Sequence, residues 1–161
     1  MRLVRLFFIV GLVAVQAQAQ ATENRVFKIN MGPGWSEMTA GQDDQKYYYS
    51  YGNREDKAFV LFHIGKDKDK NYTDQLSSEL IGEATREVKA RGGTIQESAR
   101  YKRKGCTVDY LAYFKPEKEG TNVDFYMYCS GKLITANYAL QGMDEVNIAL
   151  AKDIHKSFKL K

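Results

Sequence analysis

The side chains that could do chemistry here are few and badly spaced for it. Cys106 and Cys129 are the only thiols, and His63 and His155 the only imidazoles. Neither histidine has a cysteine, a second histidine or a carboxylate at a spacing that would build a tetrahedral metal site. The sequence therefore names no metal ligands and no cofactor. His155, expected near the end of a helix, reads as a favourable charge beside the last carbonyls. A Gly-x-Ser-x-Gly elbow and a phosphate-binding glycine loop are both missing. Asp67-Lys68-Asp69-Lys70-Asn71 starts like a calcium loop, but such a loop needs glycine at its sixth position and glutamate at its twelfth. Tyr72 and Ser78 stand there, and the interleaved lysines oppose a cation. Asp109 and Asp124 could serve as acid and base of a small hydrolase only if a cleft joined them; solvated surface acids are the plainer reading. A chain without catalytic residues is the expectation.

Contact chemistry is better represented. The chain has 11 tyrosines, with Tyr47-Tyr48-Tyr49 and Tyr51 on one segment and Tyr113, Tyr126 and Tyr128 on others. Tyrosine supplies large, rigid, amphipathic contact area. Arg100-Tyr101-Lys102-Arg103-Lys104 is the most basic run outside the N-terminus. It reads either as an exposed strand end protected by charge or as an electrostatic contact for an anionic partner. Trp35, after Gly32-Pro33-Gly34, is a candidate loop anchor. The candidate binding residues are thus Tyr113, Tyr126, Tyr128, Arg100, Lys102, Arg103, Lys104 and Trp35.

The elements that position these residues follow from periodicity and turn chemistry. Val26 to Met31 alternates as a strand, and Lys46–Tyr51 and Ala58–His63 form a hairpin around Gly52 to Lys57. Leu76, Leu80, Ala84 and Val88 recur every fourth residue, predicting a helix from Asn71 or Thr73 to about Arg91 that stops at Gly92-Gly93. Val146, Leu150 and Ile154 predict a second helix from about Met143 to Ser157.

Between the helices, register can be tested. If Pro116 to Glu119 joins two antiparallel strands with Lys115 opposite Gly120, then Ala112 faces Val123, Tyr110 faces Phe125, Val108 faces Met127, and Cys106 lands opposite Cys129. A one-residue slip would destroy both the thiol match and the apolar face. A turn at Ser130-Gly131 extends the pairing, Met127 with Ile134 and Phe125 with Ala136. The other face then carries Asp109, Leu111, Tyr113, Asp124, Tyr126, Tyr128, Leu133, Thr135 and Asn137. If that face is open it is a platform for a ligand; if a helix covers it, the rings are packing.

The predicted fold class is α+β: an antiparallel sheet of about six strands packed with two main helices, with a three-layer α/β/α sandwich as the alternative arrangement. Residues 1–19 read as a secretory signal, basic at Arg2 and Arg5, apolar from Leu6 to Val15, and ending in Ala17-Gln18-Ala19. The apolar run is short of the roughly 20 residues that span a bilayer, so no integral membrane segment is expected once it is removed. Residues 20–161 then form one domain, periplasmic or secreted, where a Cys106–Cys129 disulfide is favoured. Loss of Arg2 and Arg5 lowers the formal charge from +4 to +2, which speaks against a nucleic-acid partner.

An early strand, the Gly32-Pro33-Gly34-Trp35 turn, a hairpin, a long helix, a meander and a closing helix ending in Ile154-His155-Lys156-Ser157-Phe158 resemble the PsbP/Mog1-type α/β/α sandwich, including exported DcrB-like bacterial proteins. The resemblance implies a non-catalytic binding or accessory domain with helices on both sheet faces. It brings no functional residues with it. The combined expectation is an exported binding or accessory module acting through a surface, most naturally on a protein partner in the cell envelope. A periplasmic immunity protein against an exported toxin is one specific form. The rival classes are a small envelope hydrolase using the two aspartates and a structural envelope-stability protein.

The leader makes a direct prediction. Protein recovered from cells expressing the whole chain should begin at Gln20, or at Thr22 if cleavage follows Ala21, by intact mass. Recovery of uncleaved protein starting at Met1 would overturn the leader.

Overall fold

The computed structural model describes residues 21–68 and 73–161. The leader, the candidate cap Asn71 and most of the calcium-like run lie outside those residues. Ten strands and two α-helices follow one another as β1 (Ala21–Glu23), β2 (Phe27–Asn30), β3 (Trp35–Gln42), β4 (Lys46–Asn53), β5 (Ala58–Gly65), α1 (Asp74–Ala90), β6 (Thr94–Arg103), β7 (Cys106–Lys115), β8 (Gly120–Cys129), β9 (Lys132–Gln141), α2 (Glu145–Ser157) and β10 (Lys159–Leu160). Seven of the strands form one antiparallel sheet in the order β3-β4-β5-β9-β8-β7-β6, and β1-β2-β10 form a small second sheet.

The register deduced for the meander holds at every pair, including Cys106 opposite Cys129 and Met127 opposite Ile134. The two cysteines are disulfide-bonded with Cα atoms 4.4 Å apart, the separation of a non-hydrogen-bonded pair. Closing a loop of this length is worth about 3 kcal/mol in the chain-entropy treatment. Two-residue turns set the hairpins: Lys104-Gly105 and Ser130-Gly131 both have positive φ at both positions, the turn whose twist matches that of the strands it joins.

One sheet face carries Val60, Phe62, Val108, Tyr110, Phe125, Met127, Ile134 and Tyr138, and together with α2, Phe27, Ile29 and Phe158 it forms the main core. On the opposite face Leu111 and Tyr113 pack against Val88, Ile81 and Ala84 of α1. The architecture is therefore a three-layer sandwich: α1, the large sheet, then α2 with the small sheet. The large sheet has seven strands: β3 and β6, its two edges, join five read from the sequence, while the strand read at Val26 to Met31 falls in the small sheet. β3 escaped the sequence because Trp35 is its one buried residue and the others give no alternating apolar pattern, as an edge strand can do.

Both helices bury a stripe rotated from the one read in the sequence. In α1 the inward positions are Ser77, Ile81, Ala84 and Val88, because the Ser77 hydroxyl meets Asp109 on the sheet. Thr73 supplies the N-cap, its hydroxyl accepting from the Leu76 amide at 3.1 Å. In α2 the buried residues are Ile148, Ala151, Ile154 and His155, while Val146 is 74% and Leu150 37% exposed. Ala151, completely buried, has the small side chain that lets this helix approach the sheet closely.

His155 departs furthest from expectation. Instead of a solvated cation at a helix end, it is a core ring, 1% exposed. It stacks on Phe125 with centroids 3.7 Å apart and places Nε2 3.0 Å from the Met127 sulfur. Burial, helped by the nearby Arg103 charge, pushes its pKa down to about 3. The unfolded chain binds a proton near pH 6.5 and the folded chain does not, so this residue's contribution falls as pH drops from 6.5 towards 3. The slope is about 1.4 kcal/mol per pH unit. Between pH 7 and pH 4.5 the wild type should therefore lose about 2 to 3 kcal/mol more than His155→Phe in denaturant titrations; equal losses would refute a buried neutral imidazole.

Candidate functional site

The tyrosine-bearing face is divided in two by α1, which packs over β7 and β6. Tyr113 falls under the helix, 5% exposed, with its hydroxyl donating to Asp124 at 3.0 Å. It belongs to the packing and cannot serve an open platform. Tyr126 and Tyr128, further along β8, stay half-exposed. Beyond them the face continues over β9, β5 and β4, where β5 pairs with β9 so that Leu61 faces Asn137 and His63 faces Thr135. Among the described residues no helix covers this half. Its partly exposed side chains are Tyr126, Tyr128, Leu133, Leu61, His63 and Tyr48, with Phe59 37% exposed at the margin.

Two small features shape the outer part of this half. Tyr48 lies across Gly41 of β3 so closely that a side chain at residue 41 would collide with its ring. Met38, at a bulge in β3, covers Gly52 in the same way. Glycine here is a cradle for a neighbour's ring or sulfur. The participation of Phe59, Leu61, His63 and Tyr48 was not evident from the sequence, since no short turn joins β5 to β9 and their pairing leaves no local signal. Only the alternation of β5, considered with that of β9, could have suggested it.

Where the half-covered and open parts meet, a groove of about 210 Å³ runs beside the C-terminal part of α1, lined by Ala84, Glu87, Val88, Tyr113, Asp124 and Tyr126. Desolvation raises the Asp124 pKa, opposed by hydrogen bonds from Asn137 and Tyr113, each 3.0 Å long. The Tyr126 hydroxyl is pushed up to about 12, first by burial and then by Asp124. Tyr126 is therefore a neutral donor at physiological pH. Asp109 has no part in the groove. It is 4% exposed, accepts from the Ser77 hydroxyl and pairs with Arg100 Nε at 2.7 Å. The two acids proposed as a catalytic pair are thus separately satisfied, and the groove that Asp124 lines does not include Asp109.

The basic run also divides. Strand alternation sends Arg100 and Lys102, opposite Asp109 and Thr107, to the α1 side. Arg103, opposite Cys106, turns to the α2 side, where its Nη1 donates to the His155 carbonyl at 3.3 Å. Lys104 sits in the turn. One continuous cationic patch is not formed. Trp35, 6% exposed, is part of the main core rather than an anchor displayed on a loop. Among the described residues no three His, Cys, Asp or Glu side chains gather at a metal-binding separation, and no helix is long and apolar enough to cross a membrane.

With this geometry established, the fold finds clear counterparts. The crystal structure of the Ran-binding protein Mog1p of Saccharomyces cerevisiae superposes with a TM-score of 0.56, covering 88% of this chain and 94% of that one at 9% identity. A point mutant of protein Mog1 matches at the same TM-score and identity, with 88% and 95% covered. The fold is the Mog1/PsbP-type sandwich. No protein-family model matches the sequence, and no curated protein resembles it significantly. At this identity the likeness shows fold alone.

The Arg100–Asp109 pair predicts an asymmetric mutational response. Arg100→Ala leaves a buried carboxylate with its guanidinium gone, a change that costs ~3–5 kcal/mol when fully sealed; the partial exposure of Arg100 lowers the expectation to about 2 kcal/mol. Replacing both residues, as Arg100→Met with Asp109→Leu, should recover most of that loss in urea midpoints. A double variant as unstable as the single one would show that the charges do not act as a pair.

Proposed function

We propose that this chain is an exported, non-catalytic binding module whose partner is a protein of the cell envelope, held against the uncovered half of the large sheet. The observation that carries the reading is the composition of that half. It presents tyrosine, phenylalanine, leucine and histidine over four adjacent strands, and among the described residues of those strands its charged groups are Asp124 and Lys46, at the borders. Aromatic enrichment with depletion of lysine and glutamate distinguishes the centre of a protein interface from ordinary surface. A sheet platform is also rigid, so little conformational freedom is lost on docking.

The leader supports export, with the remaining chain as one domain in the periplasm or medium. The disulfide fits that compartment. The yeast protein that shares this fold is a Ran-binding protein, which supports the use of the sandwich as a protein-binding scaffold and says nothing of Ran here. A toxin neutralised in the periplasm is one partner of the required chemistry: a folded protein with an apolar, tyrosine-compatible patch. The burial of Asp109 against Ser77 and Arg100 speaks against a hydrolase that used both acids.

A photo-reactive phenylalanine derivative in place of Tyr128 tests the reading in the source cell's envelope. It should give one dominant cross-linked protein, and the adduct should disappear when Leu61→Glu is added to the same chain. The same group placed at Val146, on the outer side of α2, should give none. Equal cross-linking from both positions, or none from Tyr128, would overturn the proposal.

A further inference from the structure

The opposite side of the sheet has a second cavity, at the end where α2, β10 and the two tight hairpin turns converge. It measures about 270 Å³. Its floor is made of core side chains, Val108, Met127, His155 and Phe158, each 8% exposed or less. Tyr101, Leu160 and the Cys106–Cys129 bridge complete the walls, and Arg103, Lys104 and Lys159 line it as well. Among the described residues that line it, three are cations and none is a carboxylate.

His155 adds an independent sign of a ligand. The ring is 1% exposed, it lines the cavity, and its Nδ1 has no hydrogen-bond partner. A buried imidazole nitrogen left unpartnered is a rare and costly condition in a folded protein. Its role follows the tautomer: with Nε2–H directed at the Met127 sulfur, Nδ1 is an acceptor for a ligand hydrogen, and in the other tautomer it is a donor. Met127 and Phe158 offer apolar contact beside it, and sulfur and aromatic surfaces adapt well to an alkyl or aryl chain.

We propose that this cavity binds a small amphipathic anion, its apolar body against Met127 and Phe158, its carboxylate among Arg103, Lys104 and Lys159, and a polar atom within reach of His155. At ~30 Å³ for each water-sized group the space takes about nine heavy atoms, the size of a medium-chain carboxylate. The charge arrangement selects an anion, because an ammonium of the same shape would meet three like charges. The apolar floor selects against a bare inorganic anion, which would lose its hydration for no matching contact on that side. The site is distinct from the tyrosine platform, from which the sheet separates it, so a ligand here and a protein there could be held together.

The test uses protein recovered from the cell with its disulfide intact, titrated with octanoate, octylamine and octan-1-ol while methyl and amide resonances are followed by NMR. Octanoate should shift the Met127 methyl and the amides of Arg103, Ser130 and Leu160 saturably, with a dissociation constant at least tenfold below those of the amine and the alcohol. Lys104→Glu with Lys159→Glu should weaken octanoate at least tenfold and leave octanol binding and the Tm unchanged. Equal binding of the amine, indifference to the charge reversal, or shifts centred on Tyr128 would each overturn the proposal. So would flotation with phosphatidylglycerol vesicles combined with no response to free octanoate, which would reassign the cations to a membrane surface.

Discussion

The pairing register of β7 with β8 is the constraint from which the rest of the molecule follows. Because side chains alternate across a strand, one register decides for both strands which residues enter the main core and which meet α1. With Cys106 opposite Cys129, the rings of Tyr110 and Phe125 meet on one side, and Asp109 and Asp124 go to the other. A slip of β8 by one residue would drive Asp124 under α2 and turn Phe125 towards α1. The disulfide excludes that slip covalently, at the end of the hairpin where strands would otherwise fray. The bridge thus sorts polar from apolar as well as contributing stability.

How much of this was legible follows from the range of each interaction. The meander was readable because its turns are short: a two-residue turn at Ser130-Gly131 and a compact one at Pro116 fix register locally, and the cysteines confirm it. The strands that hold the open half of the face were readable singly, yet their joining through β5 and β9 connects segments with the whole of α1 and three strands between them. Nothing local announces that contact. Helix faces failed for a related reason. Val146 and Leu150 satisfy the spacing of a buried stripe as well as Ile148 and Ala151 do, and the choice is made by what the helix meets. His155 was misjudged on the same ground, since its position near a helix end says nothing of the Phe125 ring waiting opposite.

The covered and uncovered halves of the tyrosine face owe their difference to two polar assemblies. Ser77, Asp109 and Arg100 tie α1 to the far edge of the sheet, and Tyr113 with Asn137 encloses Asp124 along the helix's inner border. Both are satisfied within the chain. What they leave is a platform with few charges among the described residues, where Tyr48 rests on Gly41 and Met38 on Gly52. On the α2 side a β-bulge between Ile95 and Glu97 turns Glu97 to meet Lys152 at 2.9 Å and the Tyr110 hydroxyl. α1 is therefore fixed to the β6–β7 edge by the hydroxyls of Ser77 and Ser78, on Asp109 and Arg100, and α2 by the Lys152–Glu97 ion pair, while the β3–β4–β5 edge is left to strand pairing and ring packing.

The small sheet ties the beginning of the described chain to its end. β2 pairs with β10 on one side and β1 on the other, the Asn30 amide donates to the Ser157 hydroxyl 127 residues away, and Phe27 stacks on Phe158. Such contacts close a loop as long as the domain itself and can form only after everything between them has been made. A chain threaded through a membrane from its N-terminus would therefore emerge with Phe27, Tyr49 and Phe62 still lacking the ring that completes their stack. The last few residues act as a clasp: until they arrive, the domain is an open shell with its aromatic lining in water.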